Sequence, residues 1–157
     1  MKLVVLTLLS VIYHCNAYSG GAPEEVCNDM TPQHPVSPQK SQLPYKVSVS
    51  KNQIKAGETV EIEVSGGEYK GLLVEVRNGD KAVGEFIVSE SDRYYKTINC
   101  HGNKNSAITH KNATDKKNKK LTWKAPSTQG KYTIYVTVAK DGGTFWARKP
   151  TQVISVF

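Results

Sequence analysis

The chain has 157 residues, a formal net charge of +7 and three cysteines, with 38% hydrophobic and 8% aromatic residues. This length gives room for one domain of ordinary size. The composition is that of a soluble globular protein rather than a disordered or membrane-embedded one. Multidomain enzymes, polytopic membrane proteins and fibrous proteins are therefore excluded.

The first seventeen residues are organised like a secretory signal peptide. Lys2 precedes the apolar run Leu3–Ile12, which is too short to span a bilayer, and the small-residue site Cys15-Asn16-Ala17 follows. We predict a signal peptide at 1–17 and a secreted, extracellular mature protein. A buried N-terminal strand is the alternative. No comparable apolar run follows, so we expect no transmembrane anchor.

Secretion decides how the cysteines are interpreted. Cys15 leaves with the signal peptide, whereas Cys27 and Cys100 remain in an oxidising compartment, where we expect them to form a disulfide. In the chain-entropy account, a disulfide that closes such a long loop stabilises the folded state by roughly 4 kcal/mol. Two free buried thiols are the alternative, and two distant cysteines offer too few ligands for zinc.

The remaining chain is rich in strand signals. Residues 18–44, rich in Gly, Pro and Ser, are an extended lead-in, of which residues 18–26 precede Cys27. From Tyr45 onward, apolar and polar residues alternate as in half-buried strands. We predict strands at 45–50, 60–64, 72–77, 82–88, 131–140, 144–148 and 152–156. Asn78-Gly79-Asp80 predicts a tight hairpin between the strands at 72–77 and 82–88. The Glu75 side chain is expected on the water-exposed face of its strand, with an ordinary pKa.

These strands predict an all-β fold, an antiparallel β-sandwich. The Cys…Trp…Cys order of an ordinary immunoglobulin domain is missing, because Cys27 precedes the first strand and Trp123 follows Cys100.

The charge is concentrated between Cys100 and Trp123-Lys124. Residues 101–124 contain seven lysines and one acidic residue, Asp115. The lysines that we predict to bind anionic surfaces are Lys104, Lys111, Lys116, Lys117, Lys119, Lys120 and Lys124. Lys116, Lys117, Lys119 and Lys120 are expected on an exposed connection. A solvated loop that keeps the protein soluble is the alternative. The same segment carries a glycosylation sequon, Asn112-Ala113-Thr114.

The sequence predicts no enzyme, no metal site and no cofactor. His34, His101 and His110 are spread along the chain without HxH or HExxH spacing, and neither a GxSxG motif nor a phosphate-binding glycine loop is found. Binding of an apolar ligand in a cavity between the sheets is left as an alternative.

Several short motifs follow one another in a specific order: Cys27 to His34 (CNDMTPQH), Tyr69 to Arg77 (YKGLLVEVR), Trp123 to Pro126 (WKAP) and Phe145-Trp146. Their order and spacing resemble the reeler (reelin N-terminal) domain family, over about residues 27–157. A signal peptide followed by one such domain is similar to the insect defence proteins of the noduler type. The resemblance implies an immunoglobulin-like β-sandwich with a Cys27–Cys100 disulfide, and an extracellular innate-immune role that is antimicrobial or microbe-binding.

Two functions follow from this resemblance and the charge distribution. The first is an innate-immune protein that binds lipopolysaccharide, lipoteichoic acid or other anionic glycolipids and polysaccharides of microbes, and also blood-cell surfaces. The alternative is a matrix or adhesion module that binds glycans or a protein through a sheet face. Nucleic acid is not expected, because aromatic residues do not interleave with the lysines.

Overall fold

A computed structural model describes residues 18–157, so the predicted signal peptide at 1–17 lies outside the described residues. The strands are β1 Lys46–Val49, β2 Gln53–Ile54, β3 Thr59–Ser65, β4 Gly71–Asn78, β5 Lys81–Ala82, β6 Glu85–Ile87, β7 Tyr95–Cys100, β8 Asn103–His110, β9 Lys119–Lys124, β10 Gly130–Ala139 and β11 Phe145–Val156. One turn of 3-10 helix covers Glu24–Val26. Within 18–157, no helix has the length and apolarity needed to cross a membrane.

The strands form two sheets packed face to face. The smaller sheet has the order β1-β3-β9-β6, and the larger has the order β2-β11-β10-β4-β8-β7, with β5 paired to β4. Every pair is antiparallel except β2 with β11. The predicted all-β sandwich is confirmed.

The core lies between the sheets, where the alternating residues point inward. Val60, Ile62 and Val64 of β3 face it from the smaller sheet, and Val74, Ile134 and Val136 face it from the larger one. Trp123 is fully buried there, and its indole N–H donates to the Val83 carbonyl at 3.0 Å. The predicted hairpin is also present, since Asn78 pairs with Lys81 and Gly79 has the positive φ of +60° that the turn requires.

Part of the chain predicted as an exposed connection is strand. β2, β7, β8 and β9 were not predicted, and the two predicted C-terminal strands are one continuous strand, β11. The predicted strand at 82–88 is instead two short strands, β5 and β6, which belong to different sheets. β8 and β9 were missed because they contain many lysines, asparagines and threonines, and few apolar residues mark their inward faces. The expectation that Lys116, Lys117, Lys119 and Lys120 lie on an exposed connection is therefore wrong in part. Lys119 and Lys120 belong to β9, whereas Lys117 is exposed just before it.

The lead-in covers the outer face of the larger sheet. Cys27 and Cys100 form a disulfide with their Cα atoms 5.6 Å apart, which confirms the predicted pairing. The two cysteines, Val26 and Met30 form a second apolar cluster against Leu73 and other outward-facing residues. The disulfide thus fastens the lead-in to the outside of the sandwich, whereas an immunoglobulin disulfide crosses the core.

This cover makes β4 buried on both faces and corrects the expectation for Glu75. The Glu75 side chain is fully buried beneath the lead-in, not exposed to water. Its Oε2 accepts from Arg77 Nε at 2.8 Å. Burial raises the pKa of the Glu75 carboxyl to about 7, and the Arg77 and Arg148 cations oppose that rise.

Arg77 connects the sheet to the lead-in. Its guanidinium donates to the carbonyl of Cys27 and, from Nη2 at 3.3 Å, to the carbonyl of Asn28. Thr137 adds a parallel contact by donating from Oγ1 to the Met30 carbonyl at 2.6 Å. Buried side chains of β4 and β10 thereby satisfy backbone carbonyls of a segment that has no strand partner of its own.

Candidate functional site

The seven predicted binding lysines lie in several different environments. Lys111 and Lys119 are half-buried against the segment between β6 and β7. Lys111 Nζ donates to the Asp92 carbonyl at 2.7 Å and to the Glu90 carbonyl at 3.2 Å. Lys119 Nζ lies 4.3 Å from the centre of the Tyr94 ring, a favourable cation–π distance. Both cations thus contact groups of the protein itself.

Lys116 does not face the surface at all. Its side chain is 2% exposed, and its ammonium donates to the carbonyls of Lys70 at 2.9 Å, Asn112 at 2.6 Å and Thr114 at 2.7 Å. Burial lowers the pKa of the Lys116 ammonium, while the nearby Asp115 carboxylate opposes that effect. All three ammonium hydrogens have partners, so Lys116 cannot bind an external anion as predicted; it has a structural role.

Lys120 and Lys124 lie on the outer face of the smaller sheet. Inward-facing Leu121 and Trp123 alternate with them, which leaves both lysines exposed. Lys120 pairs in register with Glu63 of β3, and Lys124 pairs with Glu85 of β6. Because an acidic residue lies directly opposite each lysine, the positive electrostatic potential of this face is lower than that of a face with lysines alone.

Lys104 and Lys117 complete the set. Both are exposed, Lys104 at the start of β8 in the larger sheet and Lys117 just before β9. The neighbour of Lys104, Asn105, donates to Glu85 at 3.0 Å and so joins β8 to β6. The exposed lysines of the segment are therefore Lys104, Lys117, Lys120 and Lys124, spread over two sheets and a loop.

A small cleft lies under the lead-in. Leu72 and Ala139 of the sheet line it together with Met30, His34 and His110, and its volume is about 50 Å³. A more open depression of about 150 Å³ adjoins it and shares both histidines. Ligand pockets for drug-sized molecules are roughly 300–1,000 Å³. The cleft therefore has room for a few waters but not for an acyl chain.

His110 and His101 serve as hydrogen-bonding residues, whereas the buried Nδ1 of His34 has no hydrogen-bond partner in the part of the chain that the structure describes. Leu72 donates its N–H to His110 Nδ1 at 3.1 Å, so Nε2 carries the proton and donates to the Tyr18 carbonyl at 3.1 Å. His101 Nδ1 accepts from the Ala82 N–H at 3.0 Å. Burial lowers the pKa of both imidazoles, which favours their neutral forms.

Among residues 18–157, one group combines three metal-ligating side chains: Cys27, Glu75 and Cys100. Both sulfurs of this group belong to the disulfide, so they have no thiolate to offer a metal. The carboxylate is paired with Arg77. This group is a structural cluster that holds the lead-in in place.

The fold and the disulfide define the chain as a small disulfide-bonded β-sandwich domain. A family model described as "Reeler domain" matches residues 25–157. The chain belongs to the reeler domain family.

Relatives and solved structures agree with this assignment. The chain is 38% identical over 151 residues to "Putative defense protein Hdd11" of Hyphantria cunea, covering 89% of this chain and 91% of that protein. It is 32% identical over 161 residues to "Defense protein l(2)34Fc" of Drosophila melanogaster, covering 98% and 97%. The human F-spondin reeler domain is similar with a TM-score of 0.61 at 11% identity, covering 77% of this chain and 94% of that chain. The relatives' names support a role in defence, and the structural likeness supports the fold.

Sequence reasoning missed the residues that hold the lead-in. Glu75 and Arg77 alternate with apolar residues, a pattern that predicts a solvent-exposed face of the strand. One signal was present: Leu72, Leu73 and Val74 form an unbroken apolar run, which is typical of a strand covered on both faces.

Proposed function

We propose that the protein is a secreted defence protein that binds anionic polymers of microbial surfaces, without catalysis, through the exposed lysines of residues 101–124. Membership of the reeler family and the names of the relatives support the defence role. A buried disulfide supports secretion, because such bonds persist in oxidising compartments. The signal peptide predicted at 1–17 supports it from the sequence.

The observation that carries the binding proposal is the exposure of four lysines in a segment with a single acidic residue. Lys104, Lys117, Lys120 and Lys124 keep their ammonium groups in water. Ammonium groups are compact charges that attract phosphate, sulfate and carboxylate with little selectivity. A polyanionic surface offers many such groups at once, so weak contacts add through multivalency.

The test compares two fourfold variants of equal charge. The first changes the four exposed lysines of the segment, and the second changes four exposed lysines elsewhere. The first variant combines Lys104→Gln, Lys117→Gln, Lys120→Gln and Lys124→Gln. The second, which is the control, combines Lys51→Gln, Lys55→Gln, Lys81→Gln and Lys131→Gln. Binding to lipopolysaccharide and to whole bacteria is measured at low and physiological salt, with growth inhibition scored in parallel.

The first variant should lose binding by at least about tenfold at physiological salt, and the second should keep it, because exposed charges then act over about 8–10 Å before salt screens them. Equal losses in both variants would assign the binding to net charge alone. Full binding by the first variant would show that this segment does not form the binding site. It would favour binding through a sheet face, as in the adhesion alternative.

A further inference from the structure

The glycosylation sequon forms an ordered turn between β8 and β9. Asn112 Oδ1 accepts hydrogen bonds from both the N–H and the hydroxyl of Thr114. This Asx-type turn fixes the orientation of the side-chain amide. Ala113 and Thr114 are exposed, and Asn112 is half-buried. The sequon therefore lies at the surface with its acceptor asparagine and hydroxyl in contact.

The amide nitrogen retains a free position. Asn112 Nδ2 donates to the Arg93 carbonyl at 2.7 Å, which uses one of its two hydrogens. An N-linked sugar replaces one amide hydrogen and leaves the other. The contact with Arg93 is thus compatible with a glycan on the folded protein.

The buried Lys116 ammonium holds the same turn from below. Its Nζ donates to the carbonyls of Asn112 and Thr114, the first and last residues of the sequon, and to Lys70 of the neighbouring segment. The Tyr69 and Lys116 backbones also pair, with N–O distances of 3.0 and 2.9 Å. A cation inside the turn therefore fixes its backbone while the side chain of Asn112 stays at the surface.

We infer that Asn112 carries an N-linked oligosaccharide and that Lys116 is the positioning residue that orients it. The inference rests on the secretory route of the proposed function but not on anion binding. Asn112 and the exposed Lys117 share the connection between β8 and β9, so the sugar would share that connection with one of the four proposed binding lysines.

The experiment expresses the full chain in cultured insect cells and determines intact mass from medium and lysate. Treatment with a peptide-N-glycosidase that accepts core-fucosylated glycans should lower the mass of the medium protein by one oligosaccharide and convert Asn112 to aspartate. Asn112→Gln and Thr114→Ala should abolish the shift, and Thr114→Ser should retain it because serine keeps the hydroxyl. A medium protein with unmodified Asn112 would overturn the inference. Retention of the whole product in the cell with Met1 intact would overturn both the inference and the proposed secretion.

A second measurement isolates Lys116. Lys116→Met should leave the glycan in place, because the sequon is unchanged, but should speed amide hydrogen exchange at Thr114 at least about tenfold as the turn loses its carbonyl contacts. Lys117→Gln, an exposed neighbour of the same charge, should leave exchange unchanged. Unchanged exchange in Lys116→Met would refute the positioning role while leaving the glycan to the mass measurement.

Discussion

Arg77 and Glu75 form an ion pair of 2.8 Å with both side chains fully buried. The pair lies between the larger sheet and the lead-in, and Arg77 also binds the carbonyls of Cys27 and Asn28. Two charges removed from water are costly unless each has partners. Here the partners belong to the segment that the pair holds, so losing one charge weakens the attachment of the lead-in.

Arg77→Met should lower the free energy of unfolding by about 3–5 kcal/mol, since it leaves the Glu75 carboxylate and two carbonyls without their donor. Urea denaturation measures this. Arg148→Gln is the control, because the Arg148–Asp80 pair is exposed and its loss should cost no more than about 1 kcal/mol. Similar losses in both variants would contradict the role of the buried pair.

Glu75 should make stability depend on pH in an unusual direction. The folded pKa of about 7 exceeds the unfolded value of 4.5, so the folded state binds the extra proton between these values. The contribution of Glu75 is therefore complete below about pH 4.5 and is lost as pH rises through 7. Glu75→Gln should gain stability relative to the parent between pH 5 and pH 8. The histidines titrate in both proteins, so the difference isolates Glu75; a difference independent of pH would exclude this titration.

The disulfide should account for both mature cysteines. Intact mass of the secreted protein should show no thiol that reacts with an alkylating reagent before reduction, and two afterwards. Cys100→Ser should lower the free energy of unfolding by roughly 2–5 kcal/mol, as in other small secreted domains. A native protein with two reactive thiols would refute the bond.

Lys116 should behave differently from its neighbour in the sequence. Lys116→Met removes the donor to three carbonyls and should cost about 1–3 kcal/mol in thermal or urea unfolding. Lys117→Gln changes an exposed side chain and should stay within about 0.5 kcal/mol of the parent. Equal stability of the two variants would show that the contacts of the Lys116 ammonium contribute little.

The sequence predicted the strands whose inward residues are aliphatic and alternate with polar ones. β3, with Val60, Ile62 and Val64, is the clearest case, and its bounds differ by one residue at each end. β9 was missed because Leu121 and Trp123 are its two buried apolar residues among lysines and a threonine. Its place in the sheet comes from pairing with β3, a long-range relationship that periodicity does not report.

The basic segment shows the same limit for the site. Counting charge found the lysines, but charge does not say which ammonium finds a carbonyl partner inside the protein. Lys116 and Lys117 are adjacent in sequence, yet one is buried and the other is exposed. The difference follows from the pairing of Tyr69 with Lys116, which directs alternate side chains of that short stretch inward and outward.

The docking of the lead-in sets an order for folding. Its receiving surface is built by β4, β8 and β10, which lie between residues 71 and 139. Arg77 and Thr137 can donate to the carbonyls of Cys27 and Met30 there only once those distant strands have paired. The segment around Cys27 leaves the ribosome before the strands that receive it and becomes fixed after them. We therefore expect the Cys27–Cys100 bond to close after these strands have paired, because oxidation before that stage would join two residues with no native surface between them.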